Sequence, residues 1–243
     1  MKTGIIGAGG MGRSIAAKLV QQGHTVSIAN SRGPASLQQI ARELGATATT
    51  VEGAVEDKEL VIVSIPQKNI TALPQKLFRQ IPKEVIVIDT GNYYPGLRDG
   101  IIPSLEQSGI DSLWVQEQLG IPVIKLFNSI LAESLRHMGK PKGNRDRIAL
   151  AISGDDPKAK EILFQLVESF GFDPFDTGPL SQSWKQQPGS SIYCREITLE
   201  ELSKRVAAMG SDEIGMRQQI IAKREADEML MKADYPAYLK TLH

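Results

Sequence analysis

The chain is poor in the residues that build disulfides and metal clusters. Among 243 residues there is one cysteine, Cys194, and three histidines, His24, His137 and His243. A single cysteine leaves no internal disulfide and no cysteine metal cluster, and no metal site is expected. Aromatic residues make up 5% of the chain. No apolar run approaches the roughly 18 residues that a membrane-crossing helix needs. Neither sign of charge is in excess: 28 Lys plus Arg balance 28 Asp plus Glu. A nucleic-acid binder would carry a basic surplus. The opening "MKTGIIGAGG" reads as entering a strand at once, and no secretory leader is expected. No internal repeat and no low-complexity tract interrupts the sequence. The expectation is a soluble, cytoplasmic protein with no nucleic-acid and no membrane partner.

What is present is an ordinary globular composition, 41% hydrophobic and 23% charged. The length suits one large domain, or one domain with a smaller appendage. In the first half, short apolar runs alternate with amphipathic segments. The runs are "TGIIG", "TVSIA", "LVIVSIP", "VIVIDTG" and "PVIKLF". They are rich in Val and Ile and apolar on both faces, as strands buried inside a parallel sheet are. Between them, "GRSIAAKLVQQG" puts Ile15, Leu19 and Val20 on one face and stops at Gly23. "PASLQQIARELG" does the same with Leu37, Ile40, Ala41 and Leu44 and stops at Gly45. "NITALPQKLFRQIP" is a poorer helix, because Pro74 fits only its first turn. Strands alternating with helices imply right-handed βαβ crossovers and a doubly wound α/β sheet.

The second half begins with one more strand–helix–strand unit, "RIALAISG", "DPKAKEILFQLVESFG" and "FDPFD". Residues 178–192 lack periodicity and read as a long loop. Thr198 and Glu201 fit a capping box at the start of one tail helix, and residues 211–232 read as a second, highly charged one. The division is expected at residues 1–145 for a nucleotide-binding domain and 146–243 for a smaller, mainly helical C-terminal domain. Ile214, Ile220, Ile221, Met229 and Leu230 on the tail suggest a homodimer.

Gly7-Ala8-Gly9-Gly10-Met11-Gly12 fits G-x-G-x-x-G, and it lies between the first strand and a helix, the context the motif requires. Gly7 makes the tight turn, Gly9 lets backbone approach a pyrophosphate, and Gly12 lets helix and strand pack closely. The helix N-terminus then offers free N–H groups to the phosphates. NAD-preferring domains carry an acid about 20 residues on, at the end of the second strand. Here that place holds Asn30, Ser31 and Arg32. Ser31 and Arg32 suit an adenosine 2′-phosphate, which a carboxylate would repel; the other reading of Arg32 is a solvated turn arginine. Ser64, Ile65 and Pro66 end "LVIVSIP" and would floor the ribose and nicotinamide. Thr90, Gly91 and Asn92 end the next run, and Asn128 the one after.

No acid–base pair stands out, and the sequence singles out no catalytic residue. His137 is a surface residue or a proton donor at the cleft edge. Trp114, Trp184, Tyr93 and Tyr94 read as packing residues, with Trp184 alternatively covering a flat ligand ring. Cys194 reads as a small buried hydrophobe.

The combination "GIIGAGGMG", "ANSRGP", "VIDTGNYYP", "KLFNS" and "GFDPFDTGPL" resembles the deazaflavin-dependent NADP oxidoreductases (NADPH:coenzyme F-420 oxidoreductases) over about residues 1–182. The family is similar to the cytosolic reductase domain of membrane metalloreductases. The resemblance implies a Rossmann domain that binds NADP(H) through Gly7, Gly9, Gly12, Ser31 and Arg32, with Ile65 and Asn128. It also implies direct hydride transfer between nicotinamide and a deazaflavin (coenzyme F-420), a flavin or another small acceptor. The stretch from Trp184 to Cys194 and the charged tail helix have no counterpart in that pattern. Two other functions remain open: a β-hydroxyacid or imine dehydrogenase with the same first half, and a non-catalytic NADPH sensor.

Overall fold

The five Val/Ile-rich runs become the central strands of a mostly parallel sheet. The computed structural model describes residues 1–74, 76–79, 81–210 and 213–242. In chain order the strands are β1 (Lys2–Ile6), β2 (Thr25–Ala29), β3 (Thr47–Ala48), β4 (Leu60–Val63), β5 (Ile86–Asp89), β6 (Ile124–Lys125), β7 (Ala149–Ser153) and β8 (Asp173–Gly178). The helices are α1 (Gly10–Gln21), α2 (Gln38–Leu44), α3 (Pro103–Ser108), α4 (Asp111–Leu119), α5 (Ala132–His137), α6 (Pro157–Ser169), α7 (Leu199–Ala208), α8 (Glu213–Ala233) and α9 (Tyr235–Lys240).

The described strands form one eight-stranded sheet in the order β3-β2-β1-β4-β5-β6-β7-β8. The first six strands have the doubly wound Rossmann order expected from the sequence. All neighbours pair in parallel except β6 and β7, where the direction reverses. The unit β7–α6–β8 therefore extends the same sheet rather than building a separate one. Between β1 and β4 the order changes direction, and this switch point is where such sheets open a ligand crevice.

Side chains alternate between two apolar layers. Ile5, Ile28, Leu60 and Ile62 face Ile15 and Leu19 of α1, together with Leu163 and Val167 of α6. Ile6, Ala29, Val61 and Val63 face the other way, toward Trp114, Val115 and Leu119 of α4. Burying one such side chain contributes about 1.5–3 kcal/mol. The two layers, more than the propensity of such short strands, hold the sheet.

Local signals explain most helix ends. Gly23 (φ 78°) follows α1 and Gly45 (φ 71°) follows α2, both in the left-handed region that glycine tolerates. The segment "NITALPQKLFRQIP" departs from expectation. It starts as a 3-10 turn, Gln67–Ala72, and Leu73 is already extended, because a residue before proline is driven out of the helical region. Gln75 and Gln80 in it lie outside the described residues.

Residues 178–192 are not a surface loop. Leu180–Gln186 forms a 3-10 helix, and Ser183, Trp184, Gln186 and Ile192 are buried. A 3-10 turn repeats every three residues, so it carries no 3.6-residue pattern for the sequence to reveal. The tail holds three described helices instead of two. Thr198 caps α7 by accepting from the Glu201 N–H, and Asp234 caps the extra helix α9 by accepting from the Ala237 N–H. The tail packs on the sheet through Leu202, Val206, Met209 and Ile220, which meet Ala149 and Ala151 of β7. Among the apolar positions suited to self-association, Ile220 is buried inside the chain, while Ile214 and Met229 remain exposed. No described helix is long and apolar enough to cross a membrane.

Candidate functional site

Two adjoining cavities lie over the carboxyl ends of the strands and share Gly9, Ser64, Ile65 and Pro66. The first, of about 770 Å³, runs from the glycine turn to Asn30, Ser31, Arg32 and Gly33. The second, of about 470 Å³, continues past Thr90, Gly91, Asn92 and Asn128 to the tail helices.

The glycine turn has the geometry of a phosphate cradle. Gly7 takes φ 121°, and a Cβ there would stand 2.1 Å from the Ser64 carbonyl oxygen; one on Gly12 would stand 2.1 Å from the Gly7 carbonyl oxygen. Both positions require glycine for packing. At Gly9, by contrast, a Cβ would meet nothing within 4 Å. That open space faces the cavity, where a ligand's phosphates would fit. Helix α1 has no side-chain cap and no acid in its first turn. Its leading N–H groups and positive dipole end are left for an anion.

At the far end of the first cavity, the turn after β2 is held by side chains rather than by the sheet. Asn30 Oδ1 accepts from the Arg32 N–H at 2.9 Å. Ser36 Oγ donates to the Gly33 carbonyl at 2.8 Å. Ser31 and Arg32 are exposed along this rim. Arg32 has no acidic partner among the described residues, so its donors remain for a ligand. These residues fit an adenosine 2′-phosphate, and nothing acidic in the turn opposes it.

The second cavity rests on a buried ion pair. Asp89 ends β5 and Lys125 ends β6 directly opposite it in the sheet register. Lys125 Nζ donates to Asp89 Oδ2 at 2.9 Å, and both side chains are buried. Ser112 Oγ donates to the same oxygen at 2.7 Å, and the Gly91 N–H donates to Oδ1 at 2.7 Å. Lys125 also donates to the Gly91 carbonyl. Every bond from this pair to residues 90–92 fixes backbone that lines the cavity. Nearby, burial pushes the Asp111 carboxyl up to about 6, against the pull of Lys125 and Arg224. Asp111 accepts from the Tyr93 N–H at 3.1 Å.

Asn128 is committed to protein partners. Its Nδ2 donates to Asn92 Oδ1 at 3.0 Å and to the Gln186 carbonyl at 2.7 Å, while its Oδ1 accepts from Gln186 Nε2 at 2.8 Å. It lines the cavity and holds Asn92 in place there. Gln186 comes from the segment first read as a loop, which explains why that segment is buried.

All the sequence-predicted site residues except Gly12 line one cavity or the other: Gly7, Ala8, Asn30, Ser31 and Arg32 the first, Gly10, Met11, Asn92 and Asn128 the second, and Gly9, Ser64, Ile65 and Pro66 both. His137 does not; it is exposed and pairs with Glu133. His243 lies outside the described residues. Trp184 lines neither cavity; it packs in the core, as first expected of it, and does not cover a ligand ring. Cys194 is buried, as a small hydrophobe would be, and burial pushes its thiol up to about 12. Sequence reasoning missed Tyr94, Tyr193, Met231, Tyr235 and Tyr238 as cavity walls. Tyr94 reads from the sequence as a packing residue, and the other four lie in stretches that carry no motif. Among the described lining residues of the second cavity there is no carboxylate, lysine or histidine.

Residues 2–93 match the family "NADP oxidoreductase coenzyme F420-dependent", an NADP-dependent oxidoreductase family. The chain is 30% identical to metalloreductase STEAP3 of Rattus norvegicus over 182 residues, 75% of this chain and 35% of that protein. It spans well under half the length of the curated relatives it matches. A crystal structure of a hypothetical protein from Sinorhizobium meliloti superposes with a TM-score of 0.64 at 28% identity, covering 80% of this chain and 94% of that one. A protein from Arthrobacter sp. FB24, assigned as an F420-dependent NADP-reductase, superposes with a TM-score of 0.60 at 24% identity, covering 75% and 87%. The last likeness shows the shared fold.

Proposed function

We propose that this chain, whose residues 2–93 match the coenzyme F420-dependent NADP oxidoreductases, binds NADP(H) along its two cavities and exchanges a hydride with a small acceptor. The observation that carries the reading is the continuous cleft: an uncapped helix N-terminus at its centre, an unpartnered arginine at one end and an aromatic chamber at the other. NADPH supplies the hydride, with its electron pair, from the nicotinamide ring. The protein's part is placement. Arg32 and Ser31 hold the 2′-phosphate, the N–H groups of α1 hold the pyrophosphate, and Ser64, Ile65 and Pro66 floor the ring. Asp89, Lys125, Asn92 and Asn128 keep the wall opposite the floor rigid. The second cavity's described lining holds no carboxylate, lysine or histidine, which suits direct transfer from ring to ring. It tells against a dehydrogenase of hydroxyacids or imines that uses a catalytic lysine.

Steady-state NADPH oxidation, followed by absorbance with a panel of deazaflavin, flavin, quinone and carbonyl acceptors, tests the reading. Turnover with a ring acceptor, and much weaker use of NADH, is expected. Tight NADPH binding with no turnover across the panel would instead mark a binding module.

A further inference from the structure

The tail walls part of the second cavity. Tyr235 and Tyr238 of α9 and Met231 of α8 line the second cavity together with Tyr94, Tyr193 and Cys194, and Tyr238 packs in one cluster with Tyr193 and Cys194. The Tyr94 and Tyr193 hydroxyls hydrogen-bond to each other. The rings of Tyr235 and Tyr238 lie 6.0 Å apart, and Tyr235 is 53% exposed at the mouth.

These tail residues are docked by a fitted contact rather than left against the surface. The Arg224 guanidinium sits 5.1 Å over the Tyr93 ring. Glu228 is buried against the 96–97 turn, where burial pushes its carboxyl up and the Arg224 charge and the Gly96 and Leu97 N–H groups pull it back down. Gly96 and Gly189 make the room: a Cβ on Gly96 would stand 2.4 Å from Glu228 Oε2, and one on Gly189 would stand 2.2 Å from the Ile220 carbonyl oxygen. Helix α8 therefore holds α9 in register with the 90–100 loop that carries the inner end of the site.

The chemistry of the walls selects the guest. The chamber offers ring faces and neutral O–H donors, and burial keeps the Tyr94 and Tyr193 hydroxyls protonated far into alkaline pH. The charged group at its mouth, Arg98, stacks on Tyr94 at 5.4 Å, and its charge is shared with Asp99. Such walls suit a flat, fused-ring heterocycle with carbonyl edges, uncharged or anionic. A small aliphatic keto acid would find no pair of cations there, and a basic amine would find no carboxylate.

The geometry points to Tyr235 and Tyr238 of the tail as the residues that bind and select a tricyclic isoalloxazine-type acceptor, stacked over the nicotinamide end of the cleft. This rests on the NADP(H) reading above. The hydride and its two electrons leave NADPH as NADP⁺, the acceptor ring is reduced by that pair, and a proton from water completes the reduced ring.

The test is equilibrium binding. Oxidised flavin mononucleotide and a 5-deazaflavin are each titrated into the NADP⁺-loaded protein, with ligand fluorescence as the readout and NADP⁺ affinity measured separately. At least one should bind, and the pair of titrations tells flavin from deazaflavin. Tyr235→Ala should weaken it about tenfold, the scale of one lost aromatic stack. Tyr235→Phe should bind as the parent does, and NADP⁺ affinity should stay within about twofold in both variants. Equal ring binding by parent and Tyr235→Ala would overturn the assignment. So would NADP⁺ binding with neither ring bound, which leaves the cofactor reading intact. Failure of NADP⁺ itself to bind would overturn both. Tyr235 is half exposed, so its removal leaves the core in place.

Discussion

Arg32→Ala is the most direct probe of the adenosine end. The turn should survive the change, because its bonds use the Arg32 backbone N–H, the Asn30 side chain and Ser36, not the guanidinium. What is lost is one fork of donors on an exposed rim. A hydrogen bond to a charged group contributes about 1.5–3 kcal/mol, and solvent screening at an exposed site holds it near the lower end. That corresponds to about a ten- to thirtyfold rise in the Kd for NADPH. NADH lacks the 2′-phosphate, so its Kd should move less than about twofold. Salt supplies an internal check. The screening length is about 8 Å at physiological ionic strength, and the parent's preference for NADPH should shrink as salt rises while the variant's stays flat. Calorimetric or fluorescence titration of both nucleotides at two salt concentrations measures all of this. If both nucleotides weaken equally, or neither does, Arg32 does not read the phosphate.

Three further changes test the frame around the site. Lys125→Met leaves Asp89 charged and buried without its partner, which costs about 3–5 kcal/mol; the melting temperature should fall by about 6–20 °C, and an unchanged melt would refute the role of the pair. Asp111 holds its proton more tightly folded than unfolded, at about 6 against 3.8. Its contribution to stability therefore falls as pH rises from about 4 to about 6 and is level above that. Asn cannot titrate, so the stability of Asp111→Asn relative to the parent should rise across that window by about 2–3 kcal/mol in urea melts; parallel curves would contradict the burial argument. Gly189→Ala puts a methyl 2.2 Å from the Ile220 carbonyl oxygen at φ 91°, so α8 should loosen. Limited proteolysis should then cut residues 213–233 faster while NADP⁺ still binds, and an unaltered digest would show that the tail is not seated there.

The cofactor half of the cleft was legible because each of its signals is local. A glycine turn between strand and helix, and a strand end without an acid, need only the neighbouring residues to be read. The acceptor half was not, for reasons that lie in the packing. The buried face of α8 is made of Ile220, Arg224 and Glu228, and charged residues that find partners on a distant loop look like a solvated face in sequence. Leu180–Gln186 buries Gln186, whose amide binds Asn128 and the Ala151 carbonyl, so polarity there marks the core and not the surface. Asp89 and Lys125 did leave a trace. Each is the one charge in an otherwise apolar run, acid in one and base in the next, and adjacent parallel strands bring them level. The two-residue strand β3 is too short to leave any pattern.

Phe127 at φ 64° and Cys194 at φ 49° are non-glycine residues in the left-handed region, and both line the second cavity. Such conformations cost of order 1–3 kcal/mol each. At Phe127 the ring is fully buried and stacks on Phe170 at 5.9 Å, so glycine there would relieve the strain only by giving up packing worth about 3–5 kcal/mol; the strain is held by the core behind it, and that core sets the shape of the chamber wall.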